Sequence, residues 1–235
     1  MKLLKIIVLF IIVSISLYSN EFEDYKLNEM QKLEGDKVFD EMVHSIGNVE
    51  NLKTIRTEGS VNQPVENGII SVPVQVDVDF SGKIRIKYED KEFIIDKDKG
   101  WLKYPQGYYE NLNENYIKTL SGNLNRNLIY IAQNKKDYEI KLMGEITILD
   151  KVCYKLELVV EDSKIILFVD IKDLMPVQMI YTYDSMQIIR TYLEYKVING
   201  INYPIHITST DINGNLISEV KILKIDFNIE VEGFK

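Results

Sequence analysis

Apolar and polar residues along this 235-residue chain follow three successive patterns, and each predicts a different element. Lys2 and Lys5 precede an unbroken apolar run from Ile6 to Val13, after which Ser14 to Asn20 are smaller and more polar. That is the layout of a secretory leader. A membrane span needs about 20 apolar residues, and this run is shorter and ends against the polar EFEDYKLNE, so cleavage near Ser19 or Asn20 is expected. An uncleaved anchor is the alternative. The charged stretch over 20–35 predicts weak order. From Asp36, Val38, Phe39, Met42, Val43 and Ile46 recur at helical spacing, with Asp36 as a cap and Gly47 as a stop.

From Thr54 onward the period shortens to two. Val74-Gln75-Val76-Asp77-Val78-Asp79-Phe80 alternates strictly, as do Ile84 to Tyr88, Tyr154 to Leu158 and Ile205 to Thr208, which predicts strands with one dry and one wet face. Asn67-Gly68, Ser81-Gly82, Asn199-Gly200 and Asn213-Gly214 lie between such runs and supply the residues that tight hairpins favour. The count is roughly ten strands in antiparallel succession, the last from about Leu216 to Ile229. Between Tyr108 and Ala132 the alternation lapses. Leu112, Tyr116, Leu120, Leu124 and Leu128 recur at a spacing of four and predict one or two helices.

The fold class that follows is α+β and mainly β: a strongly curved antiparallel sheet forming an open half-barrel closed by a few short helices. No composition break divides residues 36–235, so they are read as a single domain. Such a sheet leaves a cavity lined by its inward side chains, filled or open.

Composition narrows the chemistry. The formal charge of −8 becomes −10 once the two leader lysines are removed, which makes nucleic acid and anionic lipid surfaces poor partners. The single cysteine, Cys153, cannot form an internal disulfide and reads as a small buried hydrophobe in the strand-like VCYKLEL. His44 and His206 stand far apart, outside any HExxH or paired-ligand spacing, so neither a metal nor another cofactor is expected. Motifs of the GxSxG, GxxxxGK[ST] and GxGxxG types are missing, which removes the common hydrolase, nucleotide-binding and dehydrogenase readings. Asp77 with Asp79, and Asp96 with Asp98, share strand faces and read as solvated rather than as acid–base pairs. The expectation is a protein that is not an enzyme.

Aromatic and sulfur-bearing residues are the remaining signal. Trp101, Tyr104 and Tyr108 crowd around Pro105 and Gly107, where they either grip an apolar ligand or close one end of the barrel. Met143, Met175, Met179 and Met186 offer adaptable apolar surface or plain core filler. Trp101, Tyr104, Tyr108, Met175, Met179 and Tyr181 are therefore the candidate ligand-binding residues, at the cavity or its mouth.

Four segments carry a family resemblance. DEMVHSIGNVENLKTIRTEGSV, EFIIDKDKGWLKYPQGYYENL, DKVCYKLELVVEDSKIILFVDIKDLMPVQMIY and YLEYKVINGINYPIHITSTDINGNLISEVKILKIDFNIEVEGFK resemble the helix–turn–strand opening, the aromatic-proline turn, the central hairpin and the closing strands of outer-membrane lipoprotein-sorting proteins. These are the LolA, LolB and RseB-like half-barrels. The matching positions are Trp101, Tyr104 and Pro105, then Val169, Asp170 and Pro176, then Asn199, Gly200, Tyr203, Pro204 and Phe234. All are turn or packing signatures.

The resemblance implies an exported carrier or receptor in the periplasm of a two-membrane bacterium, with a lipidated protein or another amphiphilic lipid as partner. It further implies a membrane-protein donor or acceptor. An RseB-like envelope sensor acting through protein contact is the second implication. The family's carriers hold their helices closed with a cavity arginine, and neither Arg56 nor Arg85 aligns clearly with it.

Overall fold

The computed structural model describes residues 27–161 and 163–230. The leader, its cleavage point near Ser19 or Asn20, residues 20–26 and Phe234 lie outside them. The first helix, α1, is already formed at residue 27 and runs to 46, so the helix is longer than the stretch from Asp36 that spacing predicts. Most of residues 27–34 are strong helix formers and continue the helix with little burial: Leu27, Met30 and Leu33 are all exposed. Packing begins at Gly35, where a Cβ would meet the backbone of Lys141 and Leu142. Beyond it Phe39, Met42 and Ile46 have no exposed surface. The helix stops at Gly47 (φ +118°), which lies so close to the Gly200 carbonyl oxygen that any side chain would collide with it.

Thirteen strands follow among the described residues: β1 (Thr54–Val65), β2 (Gly68–Asp79), β3 (Lys83–Tyr88), β4 (Lys91–Asp96), β5 (Lys99–Lys103), β6 (Tyr109–Asn111), β7 (Glu139–Ile148), β8 (Lys151–Val160), β9 (Ser163–Asp170), β10 (Pro176–Tyr183), β11 (Met186–Ile198), β12 (Ile201–Thr210) and β13 (Leu216–Phe227). This exceeds the ten expected, and β13 ends at Phe227 rather than near Ile229. Short strands such as β5 and β6 give alternation too few residues to register. Between β6 and β7 stand α2 (Glu114–Ser121), a 3-10 turn (Leu124–Arg126), α3 (Leu128–Gln133) and a second 3-10 turn (Lys135–Asp137).

All pairings are antiparallel within one sheet, in the order β6-β5-β4-β3-β2-β1-β13-β12-β11-β10-β9-β8-β7. The first strand thus pairs with the last at the centre, and each half of the chain forms a meander running to its own edge. Asn199 (φ 50°) and Gly200 (φ 78°) form the two-residue turn between β11 and β12, as the Asn-Gly pair predicts. Because β6 and β7 are the two outer edges, the helical segment joining them must cross the mouth of the curved sheet. The sheet stays an open half-barrel, and α1 with that segment covers its concave face.

The convex face is not uniformly wet. Register places Asp226, Arg56, Asp77, Arg85, Ile94 and Trp101 abreast across six strands. Asp77, read from alternation as solvated, is fully buried. It accepts from Arg56 Nε at 2.6 Å and Nη2 at 2.8 Å, with Arg85 Nη1 4.0 Å away. Arg56 and Arg85 flank Asp77 from the neighbouring strands and Gln75 Nε2 donates to it at 3.1 Å, a lateral enclosure that the pattern along one strand does not contain. Cys153 is buried with Phe168 and Val177 in a small separate cluster, and burial pushes its thiol above the usual range.

Candidate functional site

Inward residues of four central strands leave part of the concave face unfilled. Thr57 and Val61 of β1, Val74, Val76 and Val78 of β2, Ile84 and Ile86 of β3, and Val220 and Ile222 of β13 line a cavity of about 460 Å³. Two-residue periodicity puts the three β2 valines on one face, and register sets Val76 beside Ile86 and Val78 beside Ile84, giving a continuous apolar floor. The roof is Asn123, Leu124, Arg126 and Asn127, the turn between α2 and α3. Towards β7–β12 the same concave face is filled, because Phe39, Met42, Ile129 and Ile131 pack there against Leu156, Leu167 and Met179.

The roof is held at several points. Asn127 caps α3 by accepting from the Ile129 and Tyr130 amides at 2.9 and 3.3 Å. Gln133 Nε2 donates to the carbonyls of Val49 at 2.6 Å and Leu52 at 2.7 Å, which fixes α3 to the approach to β1. Arg190 of β11 reaches in from the side, donating from Nη1 to the Arg126 carbonyl at 3.1 Å and from Nη2 to the Tyr181 hydroxyl at 3.2 Å.

Arg126 and Arg190 both line the cavity, and their guanidiniums share one aromatic partner. Arg126 lies 4.6 Å from the Tyr181 ring centroid and 5.5 Å from that of Tyr183, and Arg190 lies 5.2 Å from Tyr181. Burial holds Arg126 below its ordinary value, Tyr181 opposes that, and the neighbouring Arg190 charge adds to it. Among the described residues neither arginine has a carboxylate within 4.0 Å; the arginine ion pairs are those of Arg56 and Arg85.

The six candidates from sequence are dispersed. Tyr181 supports both arginines, and Met179 lies in the filled core beside Arg190 and accepts from the Tyr192 hydroxyl at 3.9 Å. Trp101 faces the convex side: its neighbour Gly100 points at Ile117 of α2 and Leu112, so alternation sends the indole the other way. Tyr104 and Tyr108 stack at 4.3 Å in the β5–β6 turn, with Tyr104 donating to Glu110 at 2.8 Å. Met175 sits in the turn before β10, its carbonyl accepting from the Asp170 amide. None of the six is among the described residues lining the cavity.

Arg126 and Arg190 escaped the sequence reading. One signal was available, since Arg190 occupies the apolar phase of its strand between Ile188 and Tyr192, where a cation is out of place. His44 is exposed on α1, and His206 pairs with Glu219 at 2.7 Å, so neither approaches the cavity. Among the described residues no group of three His, Cys, Asp or Glu could hold a metal, and no helix is long and apolar enough to cross a membrane.

No curated protein matches the chain. A family model described as an "Uncharacterized protein" family matches residues 127–233. Solved structures are similar over most of the chain. A putative outer membrane lipoprotein-sorting protein domain from Vibrio parahaemolyticus has 11% identity and a TM-score of 0.62, covering 86% of this chain and 95% of that one. A LolA superfamily protein from Nitrosomonas europaea has 14% identity and a TM-score of 0.61, covering 84% and 95%. A DUF1329 family protein from Desulfovibrio piger has 11% identity and a TM-score of 0.60, with the same two coverages. With its open antiparallel sheet and its concave cavity, the chain shares the fold of the lipoprotein-sorting protein domain from Vibrio parahaemolyticus and the LolA superfamily protein from Nitrosomonas europaea.

Proposed function

We propose that this protein is an exported, non-enzymatic carrier or receptor that holds the acyl part of a lipidated protein or another amphiphilic lipid in the concave cavity. The observation that carries the reading is the cavity itself, roofed by a short helical turn and floored by valine and isoleucine. Each methylene moved out of water onto such a floor contributes about 0.8 kcal/mol, enough to hold a chain and still release it to a better acceptor. The described lining residues include no carboxylate, histidine, cysteine or serine, which favours binding over chemistry. Export through the leader, cleavage near Ser19 or Asn20, a periplasmic location and a membrane-protein donor or acceptor belong to the same proposal.

The test is to purify the protein from its native envelope, extract it and identify bound lipid by mass spectrometry, alongside uptake of a fluorescent acyl probe. Stoichiometric lipid and saturable uptake are expected. Background lipid together with no uptake would overturn the proposal.

A further inference from the structure

We propose that the cavity takes a single acyl chain ending in one anionic group, a carboxylate or a phosphate, with that group seated between Arg126 and Arg190. The inference rests on the carrier reading and names the class of its ligand. Two cations line a cavity that is otherwise apolar or neutral, and among the described residues no carboxylate lies within 4.0 Å of either. Their partners are a backbone carbonyl, a phenol hydroxyl and two aromatic rings. Those groups fix the direction of the guanidiniums, and among the described residues neither positive charge has a carboxylate within 4.0 Å. Holding like charges together in a partly dry site costs free energy, which an anion between them would offset. A guanidinium also presents a planar fork that fits carboxylate and phosphate oxygens in pairs.

The volume sets the number of chains. About 460 Å³ lies towards the small end of the roughly 300–1,000 Å³ range of ligand pockets. A site of that size suits one long chain, laid along Val74, Val76 and Val78, better than the several chains of a multiply acylated lipid.

The experiment uses the delipidated full chain and a neutral naphthylamine probe that fluoresces in apolar sites. Competitors are hexadecanoic acid, hexadecyl phosphate, hexadecan-1-ol and the two-chain dihexadecanoyl phosphatidate. Expected is displacement by the acid or the phosphate at least about tenfold more effective than by the alcohol, the scale of a charge-assisted hydrogen bond. The stronger of the two anions identifies the head group. In Arg126→Gln/Arg190→Gln the ratio of anion to alcohol is expected to fall towards one.

Equal displacement by acid and alcohol in the unaltered protein overturns the assignment without any variant. So does an unchanged ratio in the double variant. Tighter binding of the two-chain lipid than of hexadecyl phosphate overturns the single-chain part. A protein that never takes up the neutral probe defeats the carrier reading as well, which separates the two failures.

Discussion

Arg190 Nη1 donates to the main-chain oxygen of Arg126 at 3.1 Å, so a side chain of β11 fastens the turn that roofs the cavity. The two residues are 64 positions apart in sequence, and their guanidiniums share the Tyr181 ring, 4.6 and 5.2 Å from its centroid.

Replacing Arg190 by methionine should loosen that turn. The amides of Arg126 and Asn127 bond to the Asn123 and Leu124 carbonyls and are protected while the roof is seated. Loss of a hydrogen bond worth about 1.5 kcal/mol corresponds to exchange roughly tenfold faster at these amides. Hydrogen exchange of Arg190→Met read by mass spectrometry checks this, and unchanged protection would show that the roof is held elsewhere.

The filled half of the concave face should carry much of the stability. Phe39 is wholly buried on α1, and Phe39→Ala is expected to cost about 3–5 kcal/mol in urea unfolding. Tyr108 is 54% exposed in the β5–β6 turn, and Tyr108→Ala should shift stability by no more than about 0.5 kcal/mol. Trp101, the single tryptophan, serves as the fluorescent reporter for both.

Asp77 is an interior anion on the convex side, with its partner Arg56 only partly exposed. Removing one member of a buried pair leaves its counter-charge uncompensated, so Asp77→Ala should lose about 3 kcal/mol or more. Asp79→Ala, two residues along on the same face and partly exposed, provides the comparison. Similar losses for the two would show that burial of the ion pair is not what matters at Asp77.

Tyr192 is buried beside Met179, and burial pushes its hydroxyl up to about 12, although Arg190 pulls in the opposite direction. The neutral phenol is therefore favoured in the folded state. Its contribution is fully present below the ordinary tyrosine value of 10.0 and is lost as pH rises towards 12. Alkaline unfolding of the wild-type protein and of Tyr192→Phe should converge below pH 10 and separate above it, with the phenylalanine variant the less sensitive. Parallel curves across that range would show that this hydroxyl does not titrate with unfolding.

The cavity floor was legible in part, because Val74, Val76, Val78, Ile84 and Ile86 declare an apolar face through alternation alone. The pair of cavity arginines was not, since Arg126 belongs to a helical turn and Arg190 to a strand in the other half of the sheet. Only the crossing of the half-barrel mouth by the helical segment brings them together. The aromatic cluster is the opposite case: Trp101 and Tyr108 are close in sequence, yet alternation from Gly100 turns the indole outward and the β5–β6 turn leaves Tyr108 in solvent.

What the sequence determined by itself is local: the two-residue period of the strands, the Asn199-Gly200 turn, and the helical stripe from Val38 to Ile46. These depend on backbone sterics and on neighbours a few residues away, all present in the linear order. What only the tertiary structure decided is lateral and long-range: the pairing of β1 with β13, the burial of Asp77 between Arg56 and Arg85, and the meeting of Arg126 with Arg190. Each depends on which strands lie side by side, and that is fixed when the whole sheet closes over a shared core.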